Sequence, residues 1–115
     1  MDDKLALRAS QAGMRFIAQM TIYNSGDFER LATFIAESYH PDALEEEPLE
    51  ERLDDFLYQQ ERLGRVKVRQ VIGTGKHHVL IMVEAERVND HFLNEMKVEE
   101  DYPHRVTEFN FVALE

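Results

Sequence analysis

The chain has 115 residues, of which 23 are acidic and 13 basic, so its formal charge at neutral pH is -10. Such a charge repels phosphate backbones and anionic lipid surfaces, and we therefore expect neither nucleic acid nor a membrane as a partner. The lack of cysteine excludes thiol nucleophiles, cysteine-ligated zinc and disulfides. The first residues show no signal-peptide pattern and no apolar run approaches the roughly 20 residues of a membrane span, so the sequence predicts a cytoplasmic protein.

Three amphipathic helices are predicted in the first half of the chain, over about residues 4–23, 27–39 and 48–63. Apolar residues recur every three to four positions in each, as in helices that pack one face on a core. The joint between the first two is Asn24-Ser25-Gly26-Asp27. Gly26 suits the positive φ that closes a helix, and Asp27 or Ser25 can accept hydrogen bonds from the free amides that open the next one.

Two features of the helical half are candidates for chemistry. His40 lies at the end of the second helix, where it is either a pocket acid or base or an exposed, capping imidazole. The carboxylates between Asp42 and Asp55 lack the alternating ligands and fixed glycine of a calcium loop, so a solvated helix face is the simpler interpretation. We therefore expect neither a metal nor a cofactor.

Four strands are predicted after Gly64, over about residues 65–73, 77–88, 91–100 and 104–113. The period of the pattern falls there from about 3.6 residues to about 2. On the first strand the apolar residues Val66, Val68 and Ile72 alternate with the basic residues Arg65, Lys67 and Arg69. The sequence thus predicts one α+β domain over residues 1–115, with three N-terminal helices packed in the concave face of a curved, four-stranded antiparallel sheet.

The turn signals between the strands predict the register of the sheet. The first turn places Ile81 opposite Val68. The second places Ile81 opposite Val98, and the third places Met96 opposite Phe109. One face is then apolar, and with the helices it gives the predicted core: Val66, Val68, Val79, Ile81, Val83, Met96, Val98, Phe109, Phe16, Met20, Ile35, Leu53 and Phe56.

The opposite face of the sheet mixes charged residues with large apolar ones. A face meant only for water does not need so many, so we expect a second copy of the chain to cover it. The predicted homodimer interface consists of Leu80, Met82, Leu93, Val106 and Val112. Its orientation is expected to bring Arg65, Lys67 and Arg69 of one copy near Glu95, Glu99 or Glu108 of the other.

The joint at Asn24-Ser25-Gly26-Asp27, between helices that precede a terminal antiparallel sheet, resembles the nuclear transport factor 2-like superfamily. This resemblance covers nearly the whole chain and implies the cystatin-like cone, in which helices lie in the concavity of a curved sheet. More narrowly, three segments resemble an uncharacterised domain found beside secreted serine peptidases and penicillin-binding-protein-like hydrolases. They are His40-Pro41-Asp42-Ala43-Leu44, Pro48-Leu49-Glu50-Glu51-Arg52 and Pro103-His104-Arg105-Val106.

The superfamily includes ketosteroid isomerases and polyketide cyclases, but their site pattern is not kept here. Gln19 stands where the isomerases have their oxyanion tyrosine, and only Asp42 lies near the position of their catalytic aspartate. A buried carboxylate on the core strands would be the general-base candidate, because desolvation raises its pKa. The predicted core face has none before Glu100, beside the last turn.

Two functional hypotheses result. The first is a non-catalytic, homodimeric domain that binds a small apolar molecule or another protein. The second is a small-molecule isomerase, cyclase or hydrolase that uses His40 or Asp42 at the mouth of the cone. The predicted pocket residues are Tyr58, Gln70, Asn94 and His40. A deep cavity that holds them beside a buried titratable group favours the enzyme, whereas side chains that fill the concavity favour an interaction domain.

Overall fold

The computed structural model describes residues 3–114, with side chains from Leu5 onward. The elements are, in chain order, α1 (Asp3–Arg8), α2 (Gln11–Ser25), α3 (Phe28–Ser38), α4 (Pro41–Glu46), α5 (Leu49–Leu63), β1 (Val66–Thr74), β2 (His78–Ala85), β3 (His91–Val98) and β4 (Val106–Ala113). The strands form one antiparallel sheet in the order β1-β2-β3-β4. The α+β class, with helices before an antiparallel sheet, is confirmed. The described chain has five helices, however, where three were predicted.

The predicted long first helix is broken at Ser10 into α1 and α2. Ser10 has an extended backbone, and its hydroxyl oxygen accepts a hydrogen bond from the Gly13 N–H at 3.0 Å. The same hydroxyl donates to the Gly75 carbonyl at 2.7 Å. The chain can fold back here because Gly13 has no side chain, and a Cβ at that position would overlap the Leu7 carbonyl. The apolar spacing continues through the break, so periodicity alone does not reveal it.

The joint between α2 and α3 has the predicted structure. Gly26 has a φ of 78° and ends α2, with its N–H bonded to the Tyr23 carbonyl. The Asp27 carboxylate accepts a hydrogen bond from the Arg30 N–H at 3.0 Å and so caps α3. Ser25 accepts from the Asp27 N–H at 3.2 Å. Asp27 and Ser25 therefore both act as capping acceptors, Asp27 for the Arg30 amide and Ser25 for the Asp27 amide.

The sequence-based prediction misses α4, because it begins the third helix at Pro48 and treats the residues from Pro41 as a polar stretch before it. Pro41 occupies the first position of α4, where the absent proline N–H removes no helical hydrogen bond. His40 precedes it, and the His40 Nδ1 accepts from the Asp42 N–H at 3.1 Å. Ala43 turns inward and is buried. The carboxylates are thus divided between two helices.

The register between β2 and β3 differs from the prediction. Ile81 lies opposite Asn94 and not opposite Val98. The cause is the length of the connection, because β2 ends at Ala85 and β3 begins only at His91. The difference is an even number of residues, so each side chain keeps its predicted face of the sheet.

The register between β1 and β2 also differs, and here the faces change. Val68 lies opposite Val83 instead of Ile81, and two register shifts interrupt the ladder, one on each side of Val71. Val71 consequently faces the core opposite Ile81, although the sequence pattern places it outside. Ile72, predicted on the core face, is 51% exposed. Such β-bulges add an unpaired residue and reverse the alternation beyond them.

The residues predicted to form the core do lie in it. Met96 lies opposite Phe109, as the third turn indicated. Every residue of the predicted core is either buried or packed against the buried cluster. Arg65, Lys67 and Arg69 are exposed to solvent. The helices therefore cover the face of the sheet that the apolar alternation marked.

Candidate functional site

The space between the helices and the sheet is almost filled by side chains. A cavity of about 20 Å³ remains, which is room for about one water molecule. The rings that surround it belong to Phe16, Tyr23, Phe56, Phe109 and Phe111. The Phe56 ring lies 6.0 Å from the rings of both Tyr23 and Phe109. Pockets for small molecules measure roughly 300 Å³ or more, so this enclosed centre does not accommodate one. A more open space of about 530 Å³ lies at its margin, between α1, α2 and β1.

Only Asn94, of the four predicted pocket residues, lines this cavity. Its side chain is 3% exposed, and its amide nitrogen has no hydrogen-bond partner within the described residues. A water molecule in the cavity would satisfy that nitrogen. Tyr58 is instead exposed on α5, with the Arg62 guanidinium 5.3 Å from its ring centre. Gln70 is exposed on the outer face of the sheet, opposite Met82.

His40 and Asp42, the residues of the enzyme hypothesis, lie at the start of α4 and are not among the cavity walls. The His40 Nδ1 is occupied by the Asp42 amide, and its Nε2 is 3.9 Å from a Glu99 carboxylate oxygen. Glu99 accepts a hydrogen bond from the Arg105 guanidinium at 2.8 Å, and this bond holds the pKa of Glu99 below its usual range. The group is therefore a partly exposed charge cluster at the start of β4.

A buried polar cluster, which sequence reasoning missed, joins α2, α3 and α5. The Tyr39 hydroxyl donates to the Gln19 side-chain oxygen at 2.5 Å, and burial raises the pKa of Tyr39. The Arg52 guanidinium lies 4.9 Å from the centre of the Tyr39 ring and donates to the carbonyls of Ala43 and Glu47. The available signal was the position of Arg52, four residues before Phe56 on the apolar stripe of α5. These groups are satisfied by one another, so the cluster has a structural role.

The outer face of the sheet carries an apolar row across three strands. Met82, Leu93 and Val112 lie directly opposite one another, and Leu80 is on the same face of β2. Val112 is 51% exposed, and the other three are half-buried. Successive side chains of a strand point to opposite faces. The helices cover the alternate residues, such as Ile81, and leave this row on the solvent side.

The prediction was wrong for Val106, the fifth residue of the predicted interface. It is fully buried, and it lies opposite Val98 after a register shift that follows Lys97. Its other neighbour is Tyr39, with which it forms a parallel bridge. The register shift turns Val106 to the helix side, so it belongs to the core and not to the outer face.

Six titratable residues beside the apolar row already form pairs within the chain. The distances are 3.0 Å for Lys67–Glu84, 2.8 Å for His78–Glu95 and 3.5 Å for Lys97–Glu108. The hydrogen bond from His78 is also the main reason why the pKa of Glu95 lies below its usual range. Arg65 pairs with Glu86 at 3.2 Å. The carboxylates that were expected to meet a second copy therefore already have partners within the chain.

Comparison with protein-family models, with curated proteins and with solved structures found no match for this chain. Within residues 3–114, no three histidine or carboxylate side chains lie close enough together to hold a metal ion. None of the described helices combines the length and apolar character that crossing a membrane requires. The geometry of the chain itself is consequently the basis for a functional proposal.

Proposed function

We propose that this chain is a non-catalytic protein-interaction domain that forms a homodimer through the outer face of its sheet. The observation that carries the proposal is the contrast between the two sheet faces. The enclosed centre of the concave side retains only about 20 Å³ of free space, whereas Met82, Leu93 and Val112 form an apolar row on the other side. Rows of this kind on an otherwise polar surface mark contact sites.

A second copy is the partner that suits the charge of this face. The chain as a whole has a formal charge of -10. On the outer face two lysines, Lys67 and Lys97, offset two of the three glutamates, and His78 contacts the third, Glu95. Two such faces meet without strong repulsion, unlike two copies of the acidic helical side. The like-to-like contact is also the isologous geometry of a two-fold dimer.

The size of the face sets the expected strength. Strands of about eight residues are roughly 27 Å long, and four of them span roughly 19 Å, which gives a flat area of roughly 500 Å². Weak interfaces bury up to roughly 600 Å² per partner, and stable ones roughly 800 Å². Nearly the whole face has to be used, so we expect a dimer that dissociates on dilution.

The alternative, a small-molecule enzyme, has less support. The residues around the cavity include Gln19, Gln59 and Asn94 but no carboxylate or histidine. Tyr23 also lines it, but its hydroxyl donates to the Gly64 carbonyl at 2.9 Å and burial raises its pKa. Amides can orient a ligand, yet they do not transfer protons as general acids or bases do. Membership of the nuclear transport factor 2-like superfamily is likewise a proposal, supported by the helix-first order and the capped joint at Gly26-Asp27.

Sedimentation velocity over a range of micromolar concentrations tests the dimer. The double variant Met82→Glu, Leu93→Lys keeps the net charge and should be monomeric wherever the wild type is dimeric. The matched control, Leu57→Glu, Tyr58→Lys, alters two exposed residues of α5 and should leave the dimer intact. A wild type that is monomeric throughout, or a face variant that still dimerises, rules out this interface.

A further inference from the structure

The two edges of the sheet differ in how their backbone groups are occupied. At the β1 edge, the Asn24 side-chain amide accepts from the Val66 N–H at 2.9 Å and donates to the Val66 carbonyl at 2.7 Å. A neighbouring strand would make the same two bonds. After β1, the Lys76 carbonyl accepts from the N–H groups of Gln11 and Ala12. Guards of this kind prevent an edge strand from pairing with other chains.

The opposite edge, β4, presents its backbone outward over residues 109–113. The Leu114 N–H donates to the His91 carbonyl across the ladder at 3.0 Å. Bonded and non-bonded pairs alternate along antiparallel strands. Counting from that pair, Phe109, Phe111 and Ala113 turn their N–H and C=O groups away from β3.

Protection of the β4 edge ends near its beginning. The Val106 carbonyl accepts a hydrogen bond from the His40 N–H at 2.7 Å. Further along the strand, no hydrogen bond from elsewhere in residues 3–114 reaches the outward groups of Phe109, Phe111 or Ala113. The strand also contains neither proline nor lysine, the residues that commonly discourage pairing. The β1 edge is therefore guarded at its two ends, whereas the β4 edge is guarded only at its beginning.

A groove of about 270 Å³ runs between the β4 edge and α5. Phe56, Phe109 and Phe111 line it, and the rings of Phe56 and Phe109 stack with their centres 6.0 Å apart. These rings provide an apolar floor directly beside the outward backbone groups. An extended segment at the edge would place every second side chain over that floor.

The helix side of the groove is acidic. Glu47 and Asp55 both line it, and the neighbouring Asp55 carboxyl is the main reason why the pKa of Glu47 lies above its usual range. Arg52 lies 3.8 Å from Glu47, and it is one cation beside the two acids of the groove. Antiparallel pairing of β4 with a second copy would place both α5 helices side by side, with these acids facing each other. Like charges then oppose self-pairing and favour a basic occupant.

We propose that the β4 edge binds an extended, basic segment of a partner protein, which adds a fifth strand to the sheet. The backbone of the segment bonds Phe109, Phe111 and Ala113. On the groove side, an apolar side chain lies on the aromatic floor, and flanking lysine or arginine side chains reach Glu47 and Asp55. The site lies at the edge of the sheet, so it is separate from the face through which the homodimer is proposed.

Binding can be measured by fluorescence anisotropy with the labelled peptide Thr-Lys-Thr-Val-Thr-Lys-Thr, capped at both ends. Its lysines and valine share one side of an extended strand. The controls are Thr-Glu-Thr-Val-Thr-Glu-Thr, which reverses the charge, and the lysine peptide N-methylated at its three central residues, which lacks the backbone N–H groups that pair with a strand in either direction. We expect only the lysine peptide Thr-Lys-Thr-Val-Thr-Lys-Thr to bind, and its affinity should fall as salt is added.

Two variants of the chain separate the groove from the general negative charge. Glu47→Gln, Asp55→Asn should weaken binding roughly fivefold. Glu50→Gln, Asp54→Asn makes the same charge change on exposed positions of α5, and should change the affinity by less than about twofold. Equal losses in the two variants, or equal binding of the N-methylated peptide, would mean attraction to net charge alone and would overturn the proposal.

Hydrogen exchange locates the bound segment. Saturation with the lysine peptide should slow exchange of the Phe109 and Phe111 amides roughly tenfold. Unchanged exchange refutes strand addition. A second refuting result is that Ala113→Pro converts a wild-type dimer to a monomer, because the β4 edge would then bind a second copy of the chain. The Met82→Glu, Leu93→Lys variant should bind the peptide normally, so this proposal and the homodimer succeed or fail separately.

Discussion

Replacing Ile81 by alanine should destabilise the fold far more than the same replacement at Ile72. Ile81 is fully buried on a central strand, whereas Ile72 is 51% exposed on β1. Each replacement removes three carbon atoms, whose transfer from water at full burial is worth roughly 2.4 kcal/mol. The cavity that remains around position 81 raises the loss to about 3 to 5 kcal/mol. At position 72 solvent fills the space, and the loss should stay below about 1 kcal/mol.

Urea denaturation followed by circular dichroism measures both losses. With a slope of about 2 kcal/mol per molar urea, Ile81→Ala should lower the midpoint by about 2 M, and Ile72→Ala by less than about 0.5 M. The slopes should match that of the wild type, since the same surface is exposed on unfolding. Similar losses at the two positions would refute the register shifts around Val71. A loss below about 1 kcal/mol at Ile81 would place that residue outside the core.

Two further predictions concern polar contacts. Asn24→Ala should lower the free energy of unfolding by about 1 to 3 kcal/mol, because it leaves the N–H and carbonyl of Val66 without partners. Urea denaturation measures this loss, and a loss no larger than that of the exposed control Asn110→Ala would contradict the prediction. The Arg105 hydrogen bond lowers the folded-state pKa of Glu99, so its stabilisation is complete above the unfolded-state pKa and disappears as the pH falls through the lower folded value. Glu99→Gln should therefore flatten the loss of stability toward acid pH, and an unchanged pH profile would count against the contact.

The order of elements and the identity of the core face could be predicted from the sequence. Both depend on local physics: helical and strand periods differ, Gly26 accepts a positive φ, and Asp27 offers a capping oxygen. The core residues were predicted correctly despite an error in the β2–β3 register, because a shift by an even number of residues keeps each side chain on the same face of the sheet. Asn94 was found in the same way, as a polar residue on an apolar face. The sequence pattern did not predict that Tyr58, Gln70 and His40 lie away from the cavity that Asn94 lines.

Features that depend on contacts distant in sequence were decided only by the tertiary structure. The break at Ser10 requires the Gly75 carbonyl, and the capture of Val106 for the core requires Tyr39 beside it. Neither contact leaves a periodic signal, because the partners are far apart along the chain. The same holds for the filled centre of the concavity and for the positions at which the two sheet edges are guarded. Whether a strand edge is guarded depends on which distant side chain reaches it, and for β1 that side chain is Asn24.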